Sequence, residues 1–333
     1  MGIFGFTVKT SFGIVRRLPA IATAAAVGWV GYSAFKKRGY PPLPAPFPSD
    51  VEFVSDLEAG RIAVHRSKLA PDESKTPVLL VHSVNAAASS YEMGPLFQRL
   101  EHDRQVAAMD LPGFGHSDRP DVAYTPELLA GAIASVLGEF DRPVHVVALS
   151  LGSELAARAA LIRPDRVRSL TFISPTGMGR KSRVDDPEAS VFDSFLKAPV
   201  LGQAIFDLLV TEPSIRYFLD KSFAGEVDPG LAVYSGLTSR LPGARHAPLA
   251  FIRGRLFTAD AVSRVYEPLL VPSLVIYDED PYTDFADLPG FTAGSDGIRQ
   301  AERIPGTCGL PHFDRPDQTL DALTRFWKDV ESR

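Results

Sequence analysis

The chain has 333 residues, 45% of them hydrophobic and 23% charged, with a formal net charge of −5. That composition suits a folded domain, and the lack of any basic run in the body argues against nucleic-acid binding. The one cysteine, Cys308, excludes an intrachain disulfide, and no CxxC or histidine-rich cluster points to zinc, another metal or a redox cofactor.

Leu18 to Phe35 is a stretch without a charge, preceded by Arg16 and Arg17 and followed by Lys36, Lys37 and Arg38. Its length is near the lower limit for crossing a bilayer, and Trp29 and Tyr32 lie near one end as interfacial aromatics do. The expectation is a single-span or membrane-embedded anchor, so a membrane-associated protein. Basic residues on both sides leave the orientation unread. A cleaved signal peptide or a helix packed on the rest of the protein are the other readings. Phe6 breaks the myristoylation pattern at the amino terminus. Pro41 to Pro48 should form a stiff spacer, so residues 1–50 are expected to be anchor and linker, and 51–333 the folded domain.

Strand-like runs follow at Arg61–Ser67, Pro77–Ser83, Gln105–Gly113, Pro143–Ser150 and Val167–Pro175. Each is short, apolar and closed by turn residues, as in a parallel sheet covered on both faces. Helical patterns lie between them. Thr125–Phe140 opens with a threonine cap and a proline at the first helical position, and Gly152–Pro164 follows the fourth run. Alternation of this kind predicts an α/β fold with a doubly wound, mostly parallel sheet. From about 176 to 266 the pattern turns helical, with apolar stretches at Val191–Val210 and Ala247–Phe257. Strands resume at Pro272–Asp280 and Ala301–Thr307, and a last helix spans Asp317–Val330. A helical insertion there is a natural lid over the strand ends, where open α/β sheets bind ligands.

Ser150 falls at a strand-to-helix turn, with Ala148 two residues before it and Gly152 two after. A nucleophile at such a turn is held in a strained bend, and only small neighbours let strand and helix approach closely enough. The bland alternative is an ordinary helix cap. Ser153, one turn into the helix, is a weaker candidate.

Together, "HSVNAAASSYEMGPLFQRL", "MDLPGFGHSD" and "ALSLG" resemble the oxyanion loop, the D-x-P-G-x-G-x-S turn and the nucleophile elbow of the α/β-hydrolase fold, over about Val51 to Val330. The resemblance implies a serine nucleophile at Ser150. Relatives that use aspartate at that turn include epoxide hydrolases and haloalkane dehalogenases, so serine points to acyl transfer or related chemistry. It implies a bracing role for His82. It also implies oxyanion donors at the backbone N–H of Val84 and Leu151, with Ser83, which stands where the family has glycine, as a further donor. Asn85 is a candidate donor too, or a residue that stabilises the turn.

The family's chain order is serine, acid, histidine. Asp278, Glu279, Asp280 and Asp284 follow the strand at 272–280, and Asp280 is the expected acid, with Asp278 and Asp284 as alternatives. Of seven histidines only His312 lies beyond them. The usual histidine column of the pattern P-G-x-G-H-x-P-x-x-E-x-P holds Gly309, and His312 falls three residues later. Either the loop takes a different path that brings His312 to Ser150, or the base is lost; His246 from the helical segment is a further candidate. The expected function is a serine hydrolase that cleaves an ester or related acyl bond of a small hydrophobic substrate. The alternative is an impaired scaffold that binds an apolar ligand or a partner protein.

Overall fold

The computed structural model describes residues 27–33, 42–69, 72–179, 199–293, 295 and 297–333. Its centre is a sheet of eight strands: β1 (Asp50–Asp56), β2 (Gly60–Arg66), β3 (Val78–Val81), β4 (Val106–Met109), β5 (Val144–Leu149), β6 (Val167–Ile173), β7 (Ser273–Tyr277) and β8 (Arg299–Arg303), in the order β1-β2-β4-β3-β5-β6-β7-β8. β1 and β2 are antiparallel and all pairs from β4 to β8 are parallel.

The three central strands are buried along their whole length. Parallel strands joined by helical crossovers are covered on both faces, so their side chains divide between two cores. Leu79, Val81, Met109 and Val146 pack on one side with Leu129 and Ile133 of α2 (Pro126–Gly138) and Leu155 of α3 (Leu151–Ile162). Val78, Leu80, Val106 and Val147 pack on the other with Leu96 and Phe97 of α1 (Gly94–Leu100). The same second core holds Phe326 and Trp327 of the last helix. Thr125 caps α2, its hydroxyl accepting from Leu128 N at 3.2 Å.

The two sheet edges depart from expectation. β1 has no clear alternation and is exposed along most of its length. β8 begins two residues earlier than the Ala301–Thr307 run, and its residues Arg-Gln-Ala-Glu-Arg are only partly covered. Edge strands bury less side-chain surface, so their hydrophobic signal is weak.

Between β6 and β7 lie α4 (Pro199–Leu209), α5 (Glu212–Ser222), α6 (Pro229–Thr238) and α7 (His246–Ile252). Part of the expected stretch Val191–Val210 lies outside the described residues. After β7 come α8 (Leu288–Thr292), β8, α9 (Pro311–Asp314) and α10 (Pro316–Ser332).

Most of Leu18–Phe35 also lies outside the described residues; residues 27–33 are helical. That turn of helix rests on α4, with Trp29 Nε1 donating to the Ala204 carbonyl at 2.8 Å and Ser33 Oγ to Asp207 Oδ2 at 2.5 Å. Among the described residues no helix is long and apolar enough to cross a membrane.

The turn after β4 is built around Asp110. Its Oδ1 accepts from Ser90 N at 2.8 Å, and its Oδ2 from His116 N at 2.8 Å and His65 Nε2 at 2.9 Å. Against the desolvation that raises it, these bonds and the neighbouring His65 and His116 hold the buried carboxyl well below the usual range. Gly115 sits at φ +47°, and a Cβ built on it would lie 2.0 Å from that carboxyl group. Gly115→Ala should therefore cost about 3 kcal/mol in urea unfolding. Gly131, in α2 with nothing within 4 Å of its Cβ position, should gain about 0.5–1 kcal/mol on replacement by alanine. Equal effects at the two positions would refute the packing argument.

Candidate active site

β5 ends at Leu149 and α3 begins at Leu151, so Ser150 alone makes the turn. Its backbone lies at φ 52°, ψ −124°, a conformation that costs a non-glycine residue about 1–3 kcal/mol. The strain is held by the Ser150 N–H, which donates to the Ile173 carbonyl on β6 at 2.8 Å. It is also held by close packing: a Cβ on Gly152 would stand 2.3 Å from the His82 carbonyl oxygen. Ser153 is fully buried and its hydroxyl donates to the Ala148 carbonyl at 3.1 Å, which makes it part of the turn's scaffold.

The loop after β3 is braced from within. Leu111 N–H donates to His82 Nε2 at 2.9 Å, so His82 carries its proton on Nδ1 and donates it to the Ser83 carbonyl at 2.5 Å. Glu92, nearly fully buried, closes the loop from the other side. Its Oε2 accepts from Ser83 N at 2.9 Å and its Oε1 from Asn85 Nδ2 at 2.7 Å. Asn85 Nδ2 also donates to Ser83 Oγ at 3.0 Å, and Asn85 Oδ1 accepts from Ala87 N at 2.8 Å. Of the two readings of Asn85, these bonds favour the turn residue: its amide is committed inside the loop. Ser83 Oγ serves as acceptor to Asn85. Among the described residues, no carbonyl or side chain accepts from the backbone N–H of Val84 or Leu151, the condition a pair of oxyanion donors requires. Nothing in the sequence singled out Glu92; a glutamate in a polar loop is ordinarily at the surface, and only the folded loop buries it.

On the acid side the three aspartates separate. Asp278 is tied to the loop beyond β8: Arg303 Nε donates to its Oδ1 at 2.6 Å and Thr307 N to its Oδ2 at 3.1 Å. These bonds, with the Arg303 charge, hold its carboxyl low against the desolvation that raises it. Asp284 Oδ1 accepts from Ala286 N at 3.2 Å and lies against Gly179. Asp280 Oδ1 accepts from Tyr282 N at 2.7 Å and Thr283 N at 3.2 Å, and its Oδ2 lies 3.0 Å from where a Cβ of Gly309 would stand.

His312 lies on the loop beyond β8. It is fully buried at the start of α9, and its Nε2 donates to the Glu92 carbonyl at 2.7 Å. Its Nδ1 is buried without a hydrogen-bond partner. No hydrogen bond joins it to Ser150 or Asp280 among the described residues. The structure thus places the His312 ring against the loop after β3, while the neighbouring Leu310 and Phe313 pack into the second core. His246, the other candidate, has its Nδ1 3.0 Å from Asp121 Oδ1. A possible metal-ligating group, His65, Asp110 and His116, also lies apart, and two of Asp110's bonds come from backbone N–H groups.

Burial pushes the His312 imidazole down to about 4. Because its folded value lies below that of the unfolded chain, its contribution to stability is complete above about pH 6.5 and is lost as pH falls toward 4. The loss amounts to about 3 kcal/mol. His312→Gln keeps a donor for the Glu92 carbonyl but does not titrate. Urea unfolding from pH 7 to 4 should show a shallower loss of stability in this variant, with the part due to His145, also held down to about 4 by burial, remaining. Parallel pH profiles for the two proteins would contradict this account.

The Alpha/beta hydrolase family model matches residues 78–322. The chain is 32% identical over 131 residues to a haloalkane dehalogenase from Agrobacterium fabrum, covering 39% of this chain and 42% of that protein. It is 33% identical over 139 residues to a pimeloyl-[acyl-carrier protein] methyl ester esterase from Neisseria meningitidis, covering 41% and 48%. The chain thus spans less than half the length of these relatives. Among solved structures, a serine hydrolase involved in carbazole degradation superposes with a TM-score of 0.65 at 18% identity, over 84% of this chain and 99% of that one. A membrane phospholipase A superposes with a TM-score of 0.62 at 20% identity, over 96% and 98%. With the sheet order, the Ser150 elbow and the family match over most of its length, the chain belongs to the alpha/beta hydrolase family.

Proposed function

We propose that the protein is an enzyme of this fold that attacks acyl compounds through Ser150, its substrates hydrophobic esters or related acyl derivatives. One observation carries this reading: Ser150 sits at a strained elbow, and the backbone N–H groups of Val84 and Leu151 have no acceptor among the described residues. Strain at a single residue, held by the surrounding packing, is typical of a site where geometry serves chemistry. In the reaction, Ser150 Oγ bonds to the acyl carbon while the carbonyl oxygen gains charge between those N–H groups. The leaving group departs, and water then attacks the acyl-enzyme. The methyl ester esterase among the relatives supports an acyl substrate. The dehalogenase does not transfer as readily, because serine at the elbow cannot follow an aspartate mechanism.

The helices α4 to α7 are proposed as a lid, and Leu18–Phe35 as a membrane anchor whose described end rests on α4. Val200 and Leu208, exposed on that helix, favour an apolar surface or substrate beside it. The membrane phospholipase A, which superposes on 96% of the chain, supports the same reading.

A second reading is favoured by the acid side: a scaffold that binds an apolar ligand with little turnover, since His312 is engaged by Glu92 and Gly309 faces Asp280. Labelling with a fluorophosphonate decides between them. Slow but complete labelling of wild type that vanishes in Ser150→Ala supports a reactive serine, and His312→Gln should leave the rate within about twofold. Absence of labelling in the folded wild type, or its persistence in Ser150→Ala, would sink the proposal.

A further inference from the structure

A cleft of about 320 Å³ is bordered by residues 121–125, which lead into α2, by Gly202 of α4, and by α7 with the two arginines that follow it. Its walls carry Arg245, Arg253 and Arg255 together with His246. Among the described residues, one carboxylate lines it, that of Asp121, whose Oδ1 lies 3.0 Å from His246 Nδ1. The walls are therefore positive in a chain whose formal net charge is −5. Thr125, the cap of α2, borders the cleft as well, so the positive end of that helix adds to the field. A guanidinium has five N–H donors, so one that already serves a neighbour can still hold an anion. The volume is at the small end of ligand sites, enough for a headgroup and too little for a lipid's acyl chains.

The cleft is joined to the amino-terminal helix. Arg245 Nη1 donates to Gln203 Oε1 at 3.3 Å, and Gln203 Nε2 to Asp207 Oδ1 at 2.8 Å. Asp207 Oδ2 accepts from Ser33 Oγ at 2.5 Å, and Trp29 bonds the Ala204 carbonyl on the same helix α4. Val200 and Leu208 lie exposed on α4. One helix thus meets the cationic cleft, the described end of the amino-terminal segment and two exposed apolar side chains.

Resting on the proposed anchoring of Leu18–Phe35, we infer that this cleft binds the phosphate of a small anionic headgroup, supplied by a membrane glycerophospholipid. The forks of Arg253 and Arg255 take the phosphate oxygens, as guanidinium groups do. Arg245 joins them and links the contact through Gln203 and Asp207 to residues 27–33. The acyl chains stay in the bilayer beside Val200 and Leu208. The headgroup then selects the membrane surface on which the domain rests, separately from the reaction at Ser150.

The test measures partition of the full chain onto vesicles of phosphatidylcholine alone and of phosphatidylcholine with phosphatidic acid, whose headgroup is a bare phosphate. Phosphatidic acid should strengthen retention of wild type about tenfold, and free glycerol 3-phosphate should remove that gain by competing for the cleft. Arg253→Gln and Arg255→Gln, the latter at an exposed position, should each lose most of the gain and keep their retention on phosphatidylcholine. Arg325→Gln, which removes the same charge from an exposed site on α10, should retain the gain. A gain that falls equally in Arg325→Gln would overturn the inference, because the field of the whole chain would then be its source. A gain kept by both cleft variants would also overturn it and assign the attraction to Lys36, Lys37 and Arg38. Equal retention of wild type on the two vesicles removes the headgroup site and leaves the anchor standing. If neither vesicle retains wild type, the anchor reading falls, and calorimetric titration with glycerol 3-phosphate decides the cleft. Binding to wild type that is lost in Arg255→Gln supports the phosphate site with a soluble compound as its source, and no binding to wild type overturns it.

Discussion

The close approach of α3 to the end of β3 sets everything else at this site. A Cβ at Gly152 would stand 2.3 Å from the His82 carbonyl oxygen, so helix and strand meet as near as backbone allows. That contact goes with the bend at Ser150 and fixes the carbonyl from which the loop after β3 departs. The loop then needs bracing, since its backbone groups point into a buried region where an unpaired donor or acceptor costs about 1–3 kcal/mol. His82 and Glu92 provide it, one through an imidazole of defined tautomer and the other through both carboxylate oxygens.

Glu92 links the two halves of the site. Its carboxylate holds the loop after β3 and its backbone carbonyl holds His312. The imidazole that chain order alone would assign to catalysis is thus tied into the scaffold of the loop after β3. A neutral ring suits that place: its Nε2–H satisfies one buried carbonyl, and full burial disfavours the charged form a general base must adopt in the course of reaction.

How far the sequence could be read follows from what each element buries. The central strands were legible because Val78–Val81, Val106–Met109 and Val144–Leu149 are apolar throughout and buried on both faces. β1 and β8 were not, because exposure at an edge removes the pattern. Ser150 was legible because the elbow needs small residues at fixed offsets. Glu92 was invisible, since the partners of its buried carboxylate, Ser83 N and Asn85 Nδ2, are brought to it only in the folded loop. Asn85 and Asp278 stay open as candidates in the sequence because their partners, Glu92, Arg303 and Thr307, are chosen by tertiary placement. The orientation of His312 belongs to the same kind: spacing located it, and the packing of Leu310 and Phe313 turned it.

The three-residue offset between Gly309 and His312 cannot be absorbed by a small slide of the loop. Three residues of extended chain reach about 10 Å, about two strand spacings of about 4.8 Å each. To carry His312 back to Asp280, the loop would have to release Thr307 from Asp278 and Cys308 N from Asp314 Oδ2, bonds of 3.1 and 2.9 Å. It would also have to free Asp314 from Ala224 N, 3.1 Å away at the end of α5, and withdraw Phe313 from its contact with Phe223. Each of these anchors lies within seven residues of the histidine on the loop itself, and together they join it to β7, α5 and the second core. A loop so fastened holds Gly309 against Asp280 and His312 against the Glu92 carbonyl.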